Sequence, residues 1–251
     1  MEGRPIIETE GLTKVYGSQT AVNGLTLRVA EGEIFGFLGP NGAGKTTTIL
    51  MLLGLTEPTS GRASVCGFDP SRDPLRVKEK ASYLPENVGF YDDMDARQNL
   101  RFVARLNRLP DMVSRPKIDK LLETVGLIGE ATKKVGAFSK GMRQRLGIAE
   151  ALVKEPRVVF FDEPTIGLDP DGVNRMLDTI HSLSRDRGIT IFLSSHLLEQ
   201  VQRICDGVGI MIKGNLVAAG RMDELAREKL GIQTGEEFTL EEIYMKYFKE
   251  A

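Results

Sequence analysis

The run IFGFLGPNGAGKTTT, residues 34–48, restricts the fold more than any other stretch of the chain. IFGFL reads as a strand. It leads into a glycine-rich turn that matches G-x-x-x-x-G-K-[ST] over residues 39–46, and an apolar helix follows from Lys45 to about Leu55. That order of strand, loop and helix is the context in which this pattern holds a phosphate. Gly42 and Gly44 let backbone N–H groups turn inward around an anion. The N-terminus of the following helix adds its positive end. Lys45 can neutralise β- and γ-phosphate oxygens, and the Thr46 hydroxyl can ligate Mg²⁺. The expected nucleotide contacts of the loop are Gly39, Asn41, Gly42, Ala43, Gly44, Lys45, Thr46 and Thr47.

A second apolar run, VVFFDEP at residues 158–164, supplies the complementary chemistry. A buried strand ending in Asp162 places a carboxylate at the C-terminal edge of the sheet, where ligands bind in open α/β folds. Asp162 is expected to hold Mg²⁺ through water. Glu163 follows it, where a general base can polarise an attacking water.

The remaining pattern frames these two runs. Residues 5–35 alternate in short apolar and polar stretches and read as N-terminal strands, several of them antiparallel. RASVCGF and ASYLP read as further strands. Residues 87 to about 155 are rich in Arg, Leu and Asp, and Leu100, Val103, Ala104 and Leu106 have helical spacing. Asp95 and Gln98 fit a capping box for that helix. A helix over about 171–186, the strand ITIFLSS, a helix from about His196 and the strand GVGIMIKG follow. The expected fold is α/β. A phosphate-loop NTPase core with a mostly parallel sheet carries an N-terminal antiparallel β subdomain and an inserted helical subdomain at about 87–155. The ATPase domain is expected over residues 1–220 and a C-terminal helical extension over 221–251. In that extension Thr239 and Glu242 fit a second capping box. Leu240, Ile243, Tyr244, Tyr247 and Phe248 share one helical face, which covers either the chain's own core or a partner.

Composition excludes several classes. A net charge of −2 gives no electrostatic ground for nucleic acid or an anionic membrane surface. Cys66 and Cys205 have no metal-ligand spacing, and two separate thiols suit a reducing compartment. MEGRPIIETE is too polar for a signal peptide. The run ILMLLGL is far shorter than the roughly 20 residues of a membrane span.

The segment FSKGMRQRL, residues 138–146, places a Gly just inside a helix that Ser139 could cap. The order GPNGAGKTT, FSKGMRQRL, VVFFDEP, IGLDP, SSH resembles the ATP-binding cassette (ABC) ATPases over roughly residues 6–220. The resemblance implies two cassettes closing head to tail over two ATP molecules. Ser139 and the Gly141 backbone would then meet the γ-phosphate of ATP held by the other copy. Read alone, the same segment is an ordinary Ser-capped helix start. The resemblance also implies that Tyr16 stacks on adenine, although a strand Tyr needs no ligand. By the same resemblance Asp169 couples the two sites, where it also fits a helix N-cap. His196 corresponds to the switch histidine beside the γ-phosphate. His181 reads as an unexceptional helix residue.

Three positions depart from the family pattern. Lys140 replaces a Gly, Met142 replaces a Gln, and Glu86 stands where the family usually has a Gln that reaches Mg²⁺ and the attacking water. Glu86 keeps an acceptor but loses the amide donor. Glu86, the segment YLPENVGFYDD and the C-terminal TLEEIY resemble the single-cassette ATPases of ABC-2 type exporters of drugs, sodium or polysaccharides. The YLPENVGFYDD wording is also similar to the copper-processing type. The resemblance implies a Mg²⁺-dependent ATPase at the cytoplasmic face of the cell membrane, docked on a separate permease, with a second copy as partner and no nucleic acid. Val88, Phe90 and Tyr91 either receive a permease helix or pack within the helical subdomain. The alternatives are a cassette ATPase acting on DNA or ribosomes and a small-molecule kinase. The first usually carries coiled coils, zinc sites or tandem cassettes, none of which the sequence shows, and the second would need neither the FSKGM segment nor Glu163.

Overall fold

The structure is a computed structural model and describes residues 5–232 and 236–250. Among these residues the strands form two sheets. β1 (Pro5–Tyr16), β2 (Gln19–Ala30) and β4 (Ser60–Val65) make an antiparallel sheet in the order β2-β1-β4. The larger sheet runs β5-β6-β7-β3-β8-β9, from β5 (Ala81–Leu84), β6 (Val158–Asp162), β7 (Thr190–Ser195), β3 (Ile34–Leu38), β8 (Gly207–Ile212) and β9 (Asn215–Arg221). Its first five strands are parallel, and β9 returns antiparallel at the edge.

The central strands are buried along their whole length because both faces are covered. Successive side chains point to opposite faces. Phe35, Phe37 and Phe160 therefore gather on one side around Phe192, at ring distances of 5.7, 5.1 and 5.4 Å. This cluster packs against Leu12, Val22 and Leu25 of the antiparallel sheet. Removing such a hub ring costs about 3–5 kcal/mol. On the other side Leu38, Phe161 and Leu193 join the core of the helical subdomain.

That subdomain is built from α3 (Ala96–Leu106), α4 (Asp111–Thr124) and α5 (Lys140–Leu152). Asp95 and Gln98 form the expected capping box on α3, with bonds of 2.7 and 2.9 Å. Gly147 fixes how α5 meets the sheet: a Cβ there would lie 2.4 Å from Leu84 Cδ1 of β5. Val88 and Phe90 pack against the same core, while Tyr91 is exposed and meets Phe102 edge to face at 5.0 Å.

Some boundaries differ from expectation. The helix after the phosphate loop, α1 (Lys45–Leu52), stops three residues early. A short helix before β5, α2 (Pro74–Lys80), carries no long amphipathic pattern and was legible only through Pro at its start. α6 (Pro170–Arg187) fits the expected helix, and α7 begins at Leu198 (Leu198–Ile204), leaving His196 in the preceding turn. β9 occupies 215–221, so the C-terminal extension starts with α8 (Met222–Leu230), followed by α9 (Leu240–Glu250). Leu240, Ile243 and Tyr247 of α9 are buried in the chain's own core, Tyr244 packs against it, and Phe248 stays exposed. Thr239 and Glu242 make the second capping box, at 2.8 and 3.2 Å.

Candidate nucleotide site

The C-terminal ends of β3, β6 and β7 lie side by side, and the strand register aligns their chemistry. Asp162 of β6 pairs with Ser194 of β7, and Ser195 of β7 pairs with Leu38 of β3, the last residue before the loop. Gly42 and Gly44 take φ values of 81° and 102°, which favour glycine, and a Cβ on Gly44 would sit 2.4 Å from the Ala21 carbonyl.

Lys45 is buried and folds back over its own loop. Its Nζ donates to the carbonyls of Gly39 (2.7 Å) and Pro40 (3.3 Å). It also lies 3.3 Å from Glu163 Oε1, an ion pair without hydrogen-bond alignment. The other Glu163 oxygen, Oε2, is 2.9 Å from His196 Nδ1. A carboxylate only accepts, so this contact needs the proton on Nδ1. Glu163 is 6% exposed and links the phosphate-loop lysine to the histidine. Its backbone has φ 49°, left-handed for a residue with a side chain, and its N–H is held by the Ser194 carbonyl at 3.2 Å.

Asp162 is buried beside them. It accepts from the Thr46 hydroxyl at 2.8 Å, from the Tyr83 hydroxyl at 3.3 Å and from the Ser194 hydroxyl. Burial, with the Asp162 carboxylate next to it, pushes the Tyr83 phenol well above its usual range, so Tyr83 stays a donor. A hydroxyl and a carboxylate within hydrogen-bond distance, with further oxygen groups around them, match the hard-oxygen preference of Mg²⁺.

Thus the fold brings Lys45, Thr46, Asp162, Glu163 and His196 together. Tyr16 stands apart at the end of β1, about half exposed, with Lys14 Nζ 4.9 Å from its ring. Glu86 is exposed just beyond β5, with no hydrogen bond or ion pair among the described residues. Ser139 caps α5, accepting from Met142 N at 3.2 Å, and Asp169 caps α6, accepting from Gly172 N at 3.0 Å. Both capping roles are real, and neither explains Gly141. Its φ is not left-handed, and a Cβ there meets only Leu168 Cδ2, at 3.7 Å. Nothing among the described residues requires glycine at that position. Lys140, which replaces the usual Gly, lies along the neighbouring loop: a Cβ on Gly167 would be 2.5 Å from its Nζ. Sequence reasoning missed Tyr244 of α9, which lines a cavity of about 300 Å³ together with Gly39, Pro40, Asn41, His196 and Leu198. Its helical face was legible, but not what the helix would face.

Comparison with known proteins agrees with this geometry. The ABC transporter family profile matches residues 22–166. The bacitracin transport ATP-binding protein BcrA of Bacillus licheniformis is 46% identical over 222 residues, covering 88% of this chain and 72% of that protein. The daunorubicin resistance ATP-binding protein DrrA3 of Streptomyces coeruleorubidus is 39% identical, covering 90% and 71%. Among solved structures, the ATP-binding subunit of an ABC transporter superimposes with a TM-score of 0.85 at 30% identity, covering 97% of this chain and 99% of that one. Phosphate loop, adjoining acidic strand end and family profile converge: the chain belongs to the ABC transporter family and is an ATP-binding, ATP-hydrolysing domain of it.

Proposed function

We propose that the chain is the energising subunit of an exporter, hydrolysing ATP as a pair of copies docked on a separate membrane permease at the cytoplasmic face. The observation that carries this is the chain of contacts from buried Lys45 through buried Glu163 to His196, beside the Thr46–Asp162 pair. The relatives' names, bacitracin transport and daunorubicin resistance, support the export direction. No helix among the described residues is long and apolar enough to cross a membrane, and the reading assigns the membrane span to a permease. The exposed Tyr91–Phe102 pair on the helical subdomain supports a contact there.

In this reading the loop from Gly39 to Thr47 wraps the phosphates with backbone N–H groups, and Lys45 leaves the loop carbonyls for phosphate oxygens. Tyr16 offers its exposed ring to adenine. Thr46, Asp162 and Glu86 would hold Mg²⁺, which would supply positive charge to offset that of the phosphates. Glu163 takes a proton from the water that attacks the γ-phosphorus, and His196 holds the Glu163 carboxylate in place. Ser139 and Gly141 of the second copy close over the γ-phosphate, which accounts for a glycine the chain itself does not need.

Mixing two inactive variants tests the shared site. In a mixed dimer of Lys45→Ala and Ser139→Glu, one site collects both defects and the other is intact. ATPase should return in part on mixing, or ATP-driven closure should exceed that of either variant. A mixed dimer shown to form, yet restoring neither, refutes the shared site. Co-purification of the chain with an integral membrane protein tests the permease contact.

A further inference from the structure

The C-terminal helix α9 is fastened to the element that carries His196. Gln202 of α7 donates to the Phe238 carbonyl at 3.0 Å and accepts from Leu240 N at 2.8 Å, so one amide side chain holds the segment leading into α9 at two points. α7 starts two residues after His196. Its Gln200 accepts from Thr165 Oγ1 at 2.6 Å, two residues after Glu163. One short helix therefore ties together the histidine turn, the loop behind Glu163 and the C-terminal helix.

The other end of this arrangement returns to the site. Tyr244 lines the cavity bounded by Gly39, Pro40 and Asn41 of the phosphate loop and by His196 and Leu198. Its ring stacks on Phe248 at 5.8 Å, which braces it from the solvent side. His196 is held at Nδ1 by Glu163, and its side chain remains partly exposed. His196 and Tyr244 line the same cavity, so the space beside the imidazole is bounded in part by the Tyr244 ring.

We propose that Tyr244 is a positioning residue for His196: its ring restricts the imidazole to the arrangement bonded to Glu163, so the C-terminal helix helps to set turnover. The proposal rests on the role given to His196 above. Tyr244 shares its cavity with Gly39, Pro40 and Asn41, so the loss of its ring can reach the phosphate loop as well; a positioning role predicts that kcat falls more than ATP affinity. A small displacement of a catalytic group can cost about 10²-fold.

The test uses the full chain with Tyr244→Ala and Tyr244→Leu, the second keeping apolar bulk on the helix should the first fail to fold. Both should lower kcat about tenfold or more, with a smaller change in KM and ATP affinity. Tyr244→Phe keeps the ring and should restore turnover. Met245→Ala, an exposed change one residue away, should leave turnover unchanged. A second readout is independent of activity. The chain has two histidines, His181 and His196, so the imidazole NMR spectrum holds one set of ring resonances for each. Tyr244→Leu should move the His196 signal and leave that of His181. An unmoved His196 signal, or unchanged kcat in a folded Tyr244→Leu protein, overturns the proposal. Should His196→Ala itself retain full turnover, the assigned role of His196 fails, and the NMR comparison still decides whether Tyr244 places the ring.

Discussion

Replacing Glu163 with Gln should slow hydrolysis and, at the same time, tighten ATP binding. Gln keeps the shape and still offers an oxygen to His196 Nδ1, so the 2.9 Å contact can persist. What disappears is the charge facing Lys45 Nζ at 3.3 Å. At that separation and an effective dielectric constant of about 20, the bare attraction is about 5 kcal/mol. Desolvation of both groups offsets much of it, but stranding one buried partner costs about 3–5 kcal/mol. Lys45 retains two loop carbonyls, at 2.7 and 3.3 Å, so a penalty of about 2 kcal/mol is the reasonable expectation. It falls on the free protein alone, because phosphate oxygens replace Glu163 once ATP is bound. Affinity should therefore rise about 30-fold. Hydrolysis should fall about 10²–10⁴-fold with the general base gone. Equilibrium binding of ATP at Mg²⁺ saturation and single-turnover hydrolysis measure the two effects separately. Turnover within tenfold of wild type refutes the base. Unchanged or weaker affinity refutes the idea that the Lys45–Glu163 pair restrains the free site.

Three further outcomes follow from particular contacts. Gly141→Ala should raise helix stability by about 0.5–1 kcal/mol in thermal melts, since its Cβ has room, while ATP-driven closure is lost; closure at the wild-type level would mean that no ligand approaches that backbone. Burial alone raises the Glu150 carboxyl from 4.5 to about 7, so the folded state holds its proton more tightly. Stability from this group is then full below about pH 4.5 and is lost as pH rises through 7, by on the order of 3 kcal/mol. Glu150→Gln should accordingly raise the Tm at pH 8 and change it little at pH 4.5, and an equal shift at both would contradict the burial argument. Glu86→Ala should leave the Tm unchanged because the side chain is exposed, yet weaken Mg²⁺-dependent turnover more than Mg²⁺-free nucleotide binding. Equal effects on the two would remove Glu86 from the metal site.

The core and the phosphate site were legible because their signals are local. IFGFL, VVFFD and ITIFLSS announce buried parallel strands by lacking alternation, and the loop chemistry follows directly from their ends. The edge strand β9 was not legible. Residues 215–221 are half exposed, and their pairing with β8 depends on a neighbour rather than on their own pattern. The same reason hid Tyr244: its helical face is visible in the sequence, but its position opposite Asn41 depends on a connection 200 residues away. Ser139 and Asp169 show a different limit. Each caps a helix start through one side-chain hydrogen bond, so the local chemistry accounts for the residue and leaves its further role without a local signal.

The left-handed backbone at Glu163 bears on how this chain can change. A residue with a side chain in that conformation costs on the order of 1–3 kcal/mol, which Gly, and to a lesser degree Asn, would relieve. Gly at position 163 would relieve the backbone but leave Lys45 without its buried anion, two effects of similar size and opposite sign. Stability screens of this protein should therefore find position 163 close to neutral although every such variant lacks the carboxylate, and libraries meant to preserve turnover should hold that codon fixed.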